Sequence, residues 1–353
     1  MLAIAGVQLA GCSIVGSIFT PPDGSADQAS AAVSEEQPIS SNRFLLEEGQ
    51  DAVGEMQIVK ARAEDTFVDI ARVYGLGFDE LAQANPDVDP WLPGDGTLIV
   101  LPTRFLLPES PREGIVLNIA AKRLFYYPEA GADEPRTVET YPIGIGREGW
   151  ATPTGDTAVV SKARDPVWFV PASVRREHAE AGDPLPRQVP PGPDNPLGAY
   201  VLGLGLPGYL IHGTNKPAGV GMRVSHGCVR LFPEDIDGLY ERVPIGTRVQ
   251  IVNQPYLLGR EGSNLLLEAH PPLQEDERDW LGSLRTRANA RLVGQEDPDL
   301  TIDELRMAAI AGEQRGFPVS VFADRPDTAA TLRHARRVKN LVSHDWMVGE
   351  AGE

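Results

Sequence analysis

The chain has 353 residues, of which 42% are hydrophobic and 23% charged, so it is globular rather than disordered and long enough for more than one domain. The formal net charge is −18, which argues against a nucleic-acid partner because nucleic acids are bound by basic surfaces. The sequence contains two cysteines, Cys12 and Cys228.

The chain begins with an apolar run, MLAIAGVQLAGC. This run is too short to cross a bilayer, which takes about 20 apolar residues, and it is similar to the apolar core of an export signal. LAGC at 9–12 resembles the lipobox of bacterial lipoproteins, whose cysteine carries lipid, and Ser13 is compatible with sorting to the outer membrane. We expect a lipoprotein-type signal over 1–12, lipid on Cys12 and a membrane-anchored periplasmic protein. A chance match and a Cys12–Cys228 disulfide are the alternatives.

The next segment has a different composition. Residues 21–54 are rich in Pro, Ser, Ala, Asp and Glu and show little periodicity. Such a composition cannot bury enough apolar surface to form a core of its own. We therefore expect a flexible tether over 13–55.

Residues 56–102 contain a short alternating run, two helical patterns and a closing apolar strand. Strand–helix–helix–strand in fewer than fifty residues resembles a LysM module. EDTF at 64–67 stands where such modules have GDTL, and the Asn85-Pro86 pair is kept. The resemblance implies binding to the glycan of peptidoglycan or chitin. The alternative is a small α/β spacer without a ligand.

From residue 114 the chain shows short apolar runs separated by turns, such as GIVLNIA, RLFYY, AYVLGLG and TRVQIV. Strands at this spacing predict a mainly β fold, a sandwich or barrel, over 114–252. Residues 184–196, PLPRQVPPGPDNP, form a long irregular insertion of a size that is usually functional or disordered. Beyond it, 253–353 is predicted to be a partly helical extension without an assigned function. Its helices are predicted at 305–312, after a capping box, and at 328–347.

Cys228 lies in the stretch RVSHGCVRL, and His212 lies sixteen residues before it, at the end of the apolar run YLI. A thiol with a pKa of about 8.5 is a poor nucleophile until a neighbour stabilises its thiolate. A histidine can take the thiol proton and later give it to a leaving amine. Glycines at 219, 221 and 227 would let backbone amides approach an oxyanion. From these residues alone, catalysis and an accidental pairing both stay open.

The run HGT…SHGCVRL resembles the signature of the L,D-transpeptidase (YkuD, ErfK-like) family over about 114–252. TPTGDTAV at 152–159 and NPLGAYVLGLG at 195–205 extend the similarity. A LysM-like module before this region and YLLGREGSNLLLEAH after it are similar to periplasmic enzymes of Gram-negative bacteria. Some of those enzymes attach an outer-membrane lipoprotein to peptidoglycan.

The resemblance implies roles for the central motif. Cys228 matches the nucleophile, acting as a thiolate beside the His212 imidazolium. His212 matches the general base, and its ring would be held by the Gly213 carbonyl. The backbone amides of Gly227 and Cys228 would form the oxyanion hole.

The resemblance also bears on the residues near Cys228. Ser225 and His226 match motif positions; Ser225 is expected to be structural, and His226 either packs or takes part in the chemistry. Arg230 resembles an arginine that meets a substrate carboxylate, or else it pairs with a protein carboxylate such as Glu234 or Asp235. Asp165, Glu177 and His178, in the region of the long insertion, could contact substrate and have no assigned role.

The implied reaction starts from a peptidoglycan tetrapeptide stem. The thiolate attacks the carbonyl of meso-diaminopimelate, D-alanine leaves, and the thioester is passed to an amine of a second stem or of an outer-membrane lipoprotein. Carbapenems would acylate the same cysteine. Neither a cofactor nor a metal is expected. A hydrolase on the same fold and a non-catalytic wall-binding lipoprotein are the alternatives.

Overall fold

A computed structural model describes residues 36–38, 42–131, 133–293 and 301–344. The expected signal over 1–12, the lipidation site Cys12 and the first part of the expected tether lie outside these ranges. Within them the chain is mainly β, which confirms that part of the fold class predicted from the sequence. None of the helices in the described ranges has the length and apolar content needed to span a bilayer.

Strands account for most of the regular structure. In the described residues the first half contains β1 (Arg43–Leu45), β2 (Ala52–Gly54), β3 (Gln57–Lys60), β4 (Leu98–Leu101), β5 (Arg104–Leu106), β6 (Gly114–Asn118), β7 (Arg123–Tyr127), β8 (Thr137–Pro142), β9 (Ile145–Gly146), β10 (Gly155–Arg164) and β11 (Trp168–Phe169). The second half contains β12 (Gln188–Val189), β13 (Tyr200–Leu204), β14 (Leu210–His212), β15 (Arg223–Ser225), β16 (Val229–Arg230), β17 (Arg248–Val252), β18 (Tyr256–Glu261), β19 (Asn264–Ala269), β20 (Val319–Ser320) and β21 (Arg336–Val338).

The helices are shorter and lie between these strands. In the described residues they are α1 (Phe67–Val73), α2 (Phe78–Ala84), α3 (Ala172–Glu180), α4 (Pro233–Arg242), α5 (Trp280–Leu292), α6 (Glu304–Glu313) and α7 (Thr328–Arg333), with a 3-10 turn at Pro217–Gly219. Helix α3 and the short β11–β12 pair occupy the region around the predicted insertion, so that region is only partly irregular.

In the described residues, nine strands form the central sheet in the order β1-β8-β7-β6-β17-β10-β13-β14-β16. Along β17, Val249 and Ile251 are buried and alternate with less buried residues, as expected for a strand with one face on a core. Strand β7 is buried on both faces. Its Leu124 packs into one apolar core and its Phe125 into another, so the sheet has a hydrophobic core on each side.

The strand–helix–helix–strand order predicted for 56–102 is present as β3, α1, α2 and β4, with β3 and β4 antiparallel. Thr66 caps α1 in a reciprocal capping box with Asp69, which explains where this helix begins. The buried side chains of this unit, including Phe67, share one core with Phe125 of the central sheet. The unit is therefore packed onto the sheet and does not have a separate core.

The flexible tether expected over 13–55 is wrong for residues 42–54. Strand β1 pairs antiparallel with β8 at the edge of the central sheet, and β2 pairs with β5. The physical reason is apolar burial, because Phe44 and Val53 both pack into the core shared with the unit at 56–102. The tether was predicted from the polar composition of the segment, which does not indicate this packing.

The C-terminal extension also differs from its prediction. The helix expected over 328–347 ends at Arg333, and β21 follows, parallel to β3. Val338 of β21 is buried in the core of the 56–102 unit. The backbone of β21 pairs with β3, so the extension completes a three-stranded sheet with β3 and β4.

A buried ion pair joins α2 to the central sheet. Glu80 accepts two hydrogen bonds from Arg123, at 2.6 and 2.8 Å, and both side chains are almost fully buried. Arg123 also donates to the carbonyl of Gly75 at 3.0 Å. These contacts fix the 56–102 unit to strand β7.

Replacing Glu80 with alanine should lower the free energy of unfolding by about 3–5 kcal/mol, because it leaves the buried charge of Arg123 uncompensated. Chemical denaturation measures this loss. The matched control is Glu241→Ala: Glu241 pairs with Arg164 at 2.7 Å, but both side chains are about 60% exposed, so water screens the pair. Equal losses in the two variants would contradict this assignment.

Candidate active site

Two parallel strands bring the predicted catalytic residues together. Strand β14 ends at His212, and β16 pairs with it so that His212 lies opposite Arg230. Cys228 directly precedes β16. Because alternate residues of a strand face the same side, Cys228 and Arg230 share the face on which His212 lies. All three line one cleft of about 540 Å³.

The His212 ring is fixed by its neighbours. It is 3% exposed, and its Nδ1 lies 2.6 Å from the carbonyl oxygen of Gly213, as the sequence resemblance implied. A carbonyl only accepts, so Nδ1 carries the proton and Nε2 keeps a lone pair. Burial, followed by the charge of Arg230, lowers the pKa of His212 to about 3. The imidazole is therefore neutral at pH 7 and able to take a proton.

Cys228 is half-buried, and its Sγ lies 3.6 Å from the carbonyl oxygen of Gly208. Burial raises the pKa of the Cys228 thiol, and the positive charge of Arg230 opposes that shift. With the low pKa of His212, this favours a neutral thiol beside a neutral imidazole. The sequence resemblance implied a thiolate–imidazolium pair at the same two residues, and the pH dependence of thiol reactivity separates the two forms.

The turn before Cys228 is held by hydroxyl groups. The Ser225 hydroxyl donates to the Cys228 carbonyl at 2.5 Å and accepts from the Gly227 amide at 3.1 Å. Thr152, from the TPTG motif, donates to the Gly227 carbonyl at 2.9 Å. Gly227 has a φ of 103°, which a residue with a Cβ rarely adopts. Ser225 is thus a structural brace for the turn.

This bracing changes one predicted role. The Gly227 amide was expected in the oxyanion hole, but it donates to Ser225 instead. A donor engaged in the turn does not point at a developing charge on substrate. Of the two amides predicted for this role, that of Cys228 is the remaining candidate.

Arg230 is held by its backbone and half-buried. Its amide and carbonyl both pair with Gly144, at 2.9 and 2.8 Å. The buried Nε of Arg230 has no hydrogen-bond partner in the described part of the chain. The alternative partner Glu234 instead pairs with Arg72 at 2.8 Å. Arg230 lines the cleft.

The structure places two further residues, Glu177 and Trp150, beside His226. Glu177 of α3 forms an ion pair with Arg147, and its second oxygen lies 3.2 Å from Nε2 of His226. The ring of Trp150 packs edge-on against His226 at 4.8 Å. Glu177 lies 49 residues before His226 in the chain, so no local spacing indicates this contact.

His212, His226 and Cys228 carry side chains of the types that bind zinc. Among the described residues no group of three or more His, Cys, Asp or Glu side chains is placed to hold a metal ion. Arg230 lines the same cleft as His212 and Cys228, and its positive charge acts on both.

The chain is similar in sequence to known proteins. A family model described as the L,D-transpeptidase catalytic domain (YkuD) matches residues 112–251. The probable L,D-transpeptidase ErfK/SrfK of Salmonella typhimurium is 39% identical over 292 residues, covering 80% of this chain and 91% of that protein. The probable L,D-transpeptidase YbiS of Escherichia coli is 40% identical over 284 residues, covering 78% and 90%. This chain belongs to the L,D-transpeptidase family.

The family match contains the whole candidate site of this L,D-transpeptidase, from Gly144 to Arg230. A third relative, the probable L,D-transpeptidase YcfS of Escherichia coli, is 39% identical over 298 residues and covers 82% of this chain and 92% of that protein. Among solved structures, L,D-transpeptidase 3 from Mycobacterium tuberculosis is 20% identical over 44% of this chain and 67% of that chain, with a TM-score of 0.30.

Proposed function

We propose that this L,D-transpeptidase acts on peptidoglycan tetrapeptide stems through a thioester on Cys228. It cleaves the bond between meso-diaminopimelate and D-alanine and transfers the acyl group to an amine. The observation that carries the proposal is the pairing of β14 with β16, which puts the neutral base His212 and the Cys228 thiol into one cleft.

In the first half-reaction, Nε2 of His212 takes the thiol proton as Sγ of Cys228 attacks the carbonyl carbon. The negative charge moves onto the carbonyl oxygen, where the Cys228 amide is the candidate donor. When the intermediate collapses, the C–N bond breaks and His212 returns the proton to the leaving amine. The products are free D-alanine and a thioester.

In the second half-reaction, an acceptor amine attacks the thioester carbon and loses its proton to His212. The C–S bond then breaks, and the thiol of Cys228 is restored. Because the thioester keeps the free energy of the cleaved peptide bond, no cofactor is required. The acceptor is an amine of a second stem or of a lipoprotein lysine; water in its place would make the enzyme a hydrolase.

Arg230 is proposed to hold a donor carboxylate next to the attacked carbonyl. Its guanidinium lines the cleft, and the charge of Arg230 acts on the Cys228 thiol. The planar guanidinium suits a carboxylate because it offers two parallel N–H groups.

The unit at 56–102 is proposed to bind wall glycan, as its resemblance to LysM implies. Its Trp91 and Leu92 are exposed by 57% and 75%, and the Trp91 ring packs 5.5 Å from that of Phe78. The Phe78 amide donates to the carbonyl of Val220, in the segment that joins His212 to Cys228, at 3.4 Å. Glycan on this surface would therefore lie beside the catalytic segment.

We also propose a periplasmic location with a lipid anchor on Cys12, motivated by LAGC at 9–12. Two acyl chains on one cysteine are enough for stable anchoring. Metabolic labelling with a palmitate analogue should mark the wild type and not Cys12→Ser. Wild-type protein that stays unlabelled and is recovered in the soluble periplasmic fraction would contradict the anchor.

Product analysis tests the proposed reaction. Purified protein is incubated with a tetrapeptide stem and an amine acceptor, and the products are identified by mass spectrometry. We expect free D-alanine in equal amount to a new amide between diaminopimelate and the acceptor. D-Alanine released with tripeptide alone would identify a hydrolase, and no release of D-alanine would overturn the proposal.

A further inference from the structure

A carboxylate of the chain itself lies beside His226 of the SHGC motif, between two donors. Glu177 Oε1 accepts from Arg147, and Oε2 lies 3.2 Å from Nε2 of His226. Each carboxylate oxygen thus has its own donor group, one from a loop and one from the SHGC motif. This is the geometry in which a paired donor set binds a carboxylate.

Nε2 of His226 has one neighbour that donates and one that accepts. It lies 3.1 Å from the guanidinium of Arg147, which only donates, and 3.2 Å from the carboxylate of Glu177, which accepts. With the proton on Nε2, both His226 and Arg147 donate to Glu177. With the proton on Nδ1, Nε2 accepts from Arg147 instead, so a carboxylate at this position favours the form with the proton on Nε2.

The two donors belong to the rigid part of the site. The Arg147 amide donates to the carbonyl of Ser225 at 3.0 Å, which ties its backbone to the motif. Trp150 packs edge-on against the His226 ring. His226 lies two residues before Cys228 and lines the same cleft. The Arg147 backbone and the His226 ring are thus held by contacts that do not include Glu177, whereas the Arg147 side chain contacts Glu177 and His226.

Glu177, in contrast, comes from a separate surface segment. It lies on α3, between the short strands β11 and β12, and its side chain is 37% exposed. Arg147 is similarly exposed, at 38%. Exposed ion pairs are weak because water and salt screen them. A competing carboxylate can therefore displace Glu177 without breaking a buried contact.

We infer that Arg147 and His226 form a binding subsite for a carboxylate of the donor stem, which Glu177 occupies in this structure. The inference rests on the proposed function, because the donor stem has one carboxylate on its terminal D-alanine and one on the diaminopimelate side chain. Arg230 is placed for one of them, and the Arg147–His226 subsite takes the other. Glu177 is then a competitor that the substrate displaces.

Steady-state kinetics with three donors test the subsite: the native stem, a stem amidated at the side-chain carboxylate and a stem amidated at the terminal carboxylate. Glu177→Gln removes the competing charge and should lower KM for the native stem by about 3- to 10-fold, because more of the enzyme has an open subsite. Arg147→Ala should raise KM for the native stem by about 10-fold. For one of the two amidated stems, neither substitution should change KM.

The matched control is Glu180→Gln, which removes the same charge from an exposed position on α3 and should leave all three KM values unchanged. If Glu177→Gln raises or does not change KM for the native stem, the competitor role is wrong. If Arg147→Ala changes KM by the same factor for all three donors, the subsite is wrong and the cluster is structural. Failure of the proposed function is separate: wild type would then form no thioester with the native stem.

Discussion

Replacing Cys228 with alanine should abolish both acyl transfer and acylation by a carbapenem. The thiol is the nucleophile in the proposed reaction, and alanine offers no atom that can form the covalent intermediate. Cys228 lines the cleft beside His212, and Ser225 and Thr152 brace the turn that presents it. Intact-mass spectrometry after incubation with a carbapenem measures the acylation directly.

The alanine variant should keep the fold, because Cys228 is half-buried and its Sγ makes a weak contact to the Gly208 carbonyl. A thermal midpoint close to that of wild type is the control that separates loss of chemistry from loss of structure. A Cys228→Ala protein that still gains the mass of the carbapenem would disprove the assignment of the nucleophile.

Replacing His212 with alanine should lower the rate of thioester formation by roughly 100-fold or more, since the thiol loses its base and the leaving amine loses its proton donor. Single-turnover kinetics with a tetrapeptide donor measure this step. His212→Gln is the matched control for size and polarity, and it should be impaired to a similar extent because glutamine does not accept a proton at neutral pH. Wild-type rates in both variants would assign the base to another residue, such as His226.

The pH dependence distinguishes the neutral pair from an ion pair. The pKa of His212 is lowered to about 3 and that of Cys228 is raised. The rate of alkylation by iodoacetamide should therefore rise with pH through a midpoint above the ordinary thiol pKa of about 8.5. A thiolate–imidazolium pair would instead react at a constant rate from acidic to neutral pH, and that result would contradict the assignment.

The same low pKa has a consequence for stability. Between the unfolded pKa of about 6.5 and the folded pKa of about 3, the unfolded chain binds more protons at His212 than the folded chain does. The free energy of unfolding should therefore fall as the pH drops through this window. His212→Gln should show a flatter dependence over the same range.

Local motifs were sufficient to predict the centre of the candidate site. SHGC and the apolar run before His212 are short stretches, and the strand that ends at His212 follows from its hydrophobic pattern. The structure places Cys228, His212 and Arg230 in one cleft, and Gly213 beside the His212 ring. Their chemical roles stay predictions that the substitutions above test.

Contacts between distant segments could not be predicted. Glu177 reaches His226 across 49 residues, from helix α3, which was not predicted from the sequence. Residues 42–54 were predicted to be a tether because the segment is largely polar, and Phe44 and Val53, which pack into the core, do not form a hydrophobic pattern in it. The common core of the 56–102 unit and the central sheet depends on β7, whose consecutive buried residues do not show which neighbour covers each face.

Trapping of the acyl-enzyme tests most directly whether Cys228 forms the thioester. Wild-type protein is mixed with a tetrapeptide donor, quenched in acid within one turnover, digested and analysed by mass spectrometry, and a second sample receives an amine before the quench. The account predicts an acyl group on the peptide that contains Cys228, and its transfer to the amine in the second sample. An acyl group on any other residue, or D-alanine release without an acylated Cys228, would contradict it.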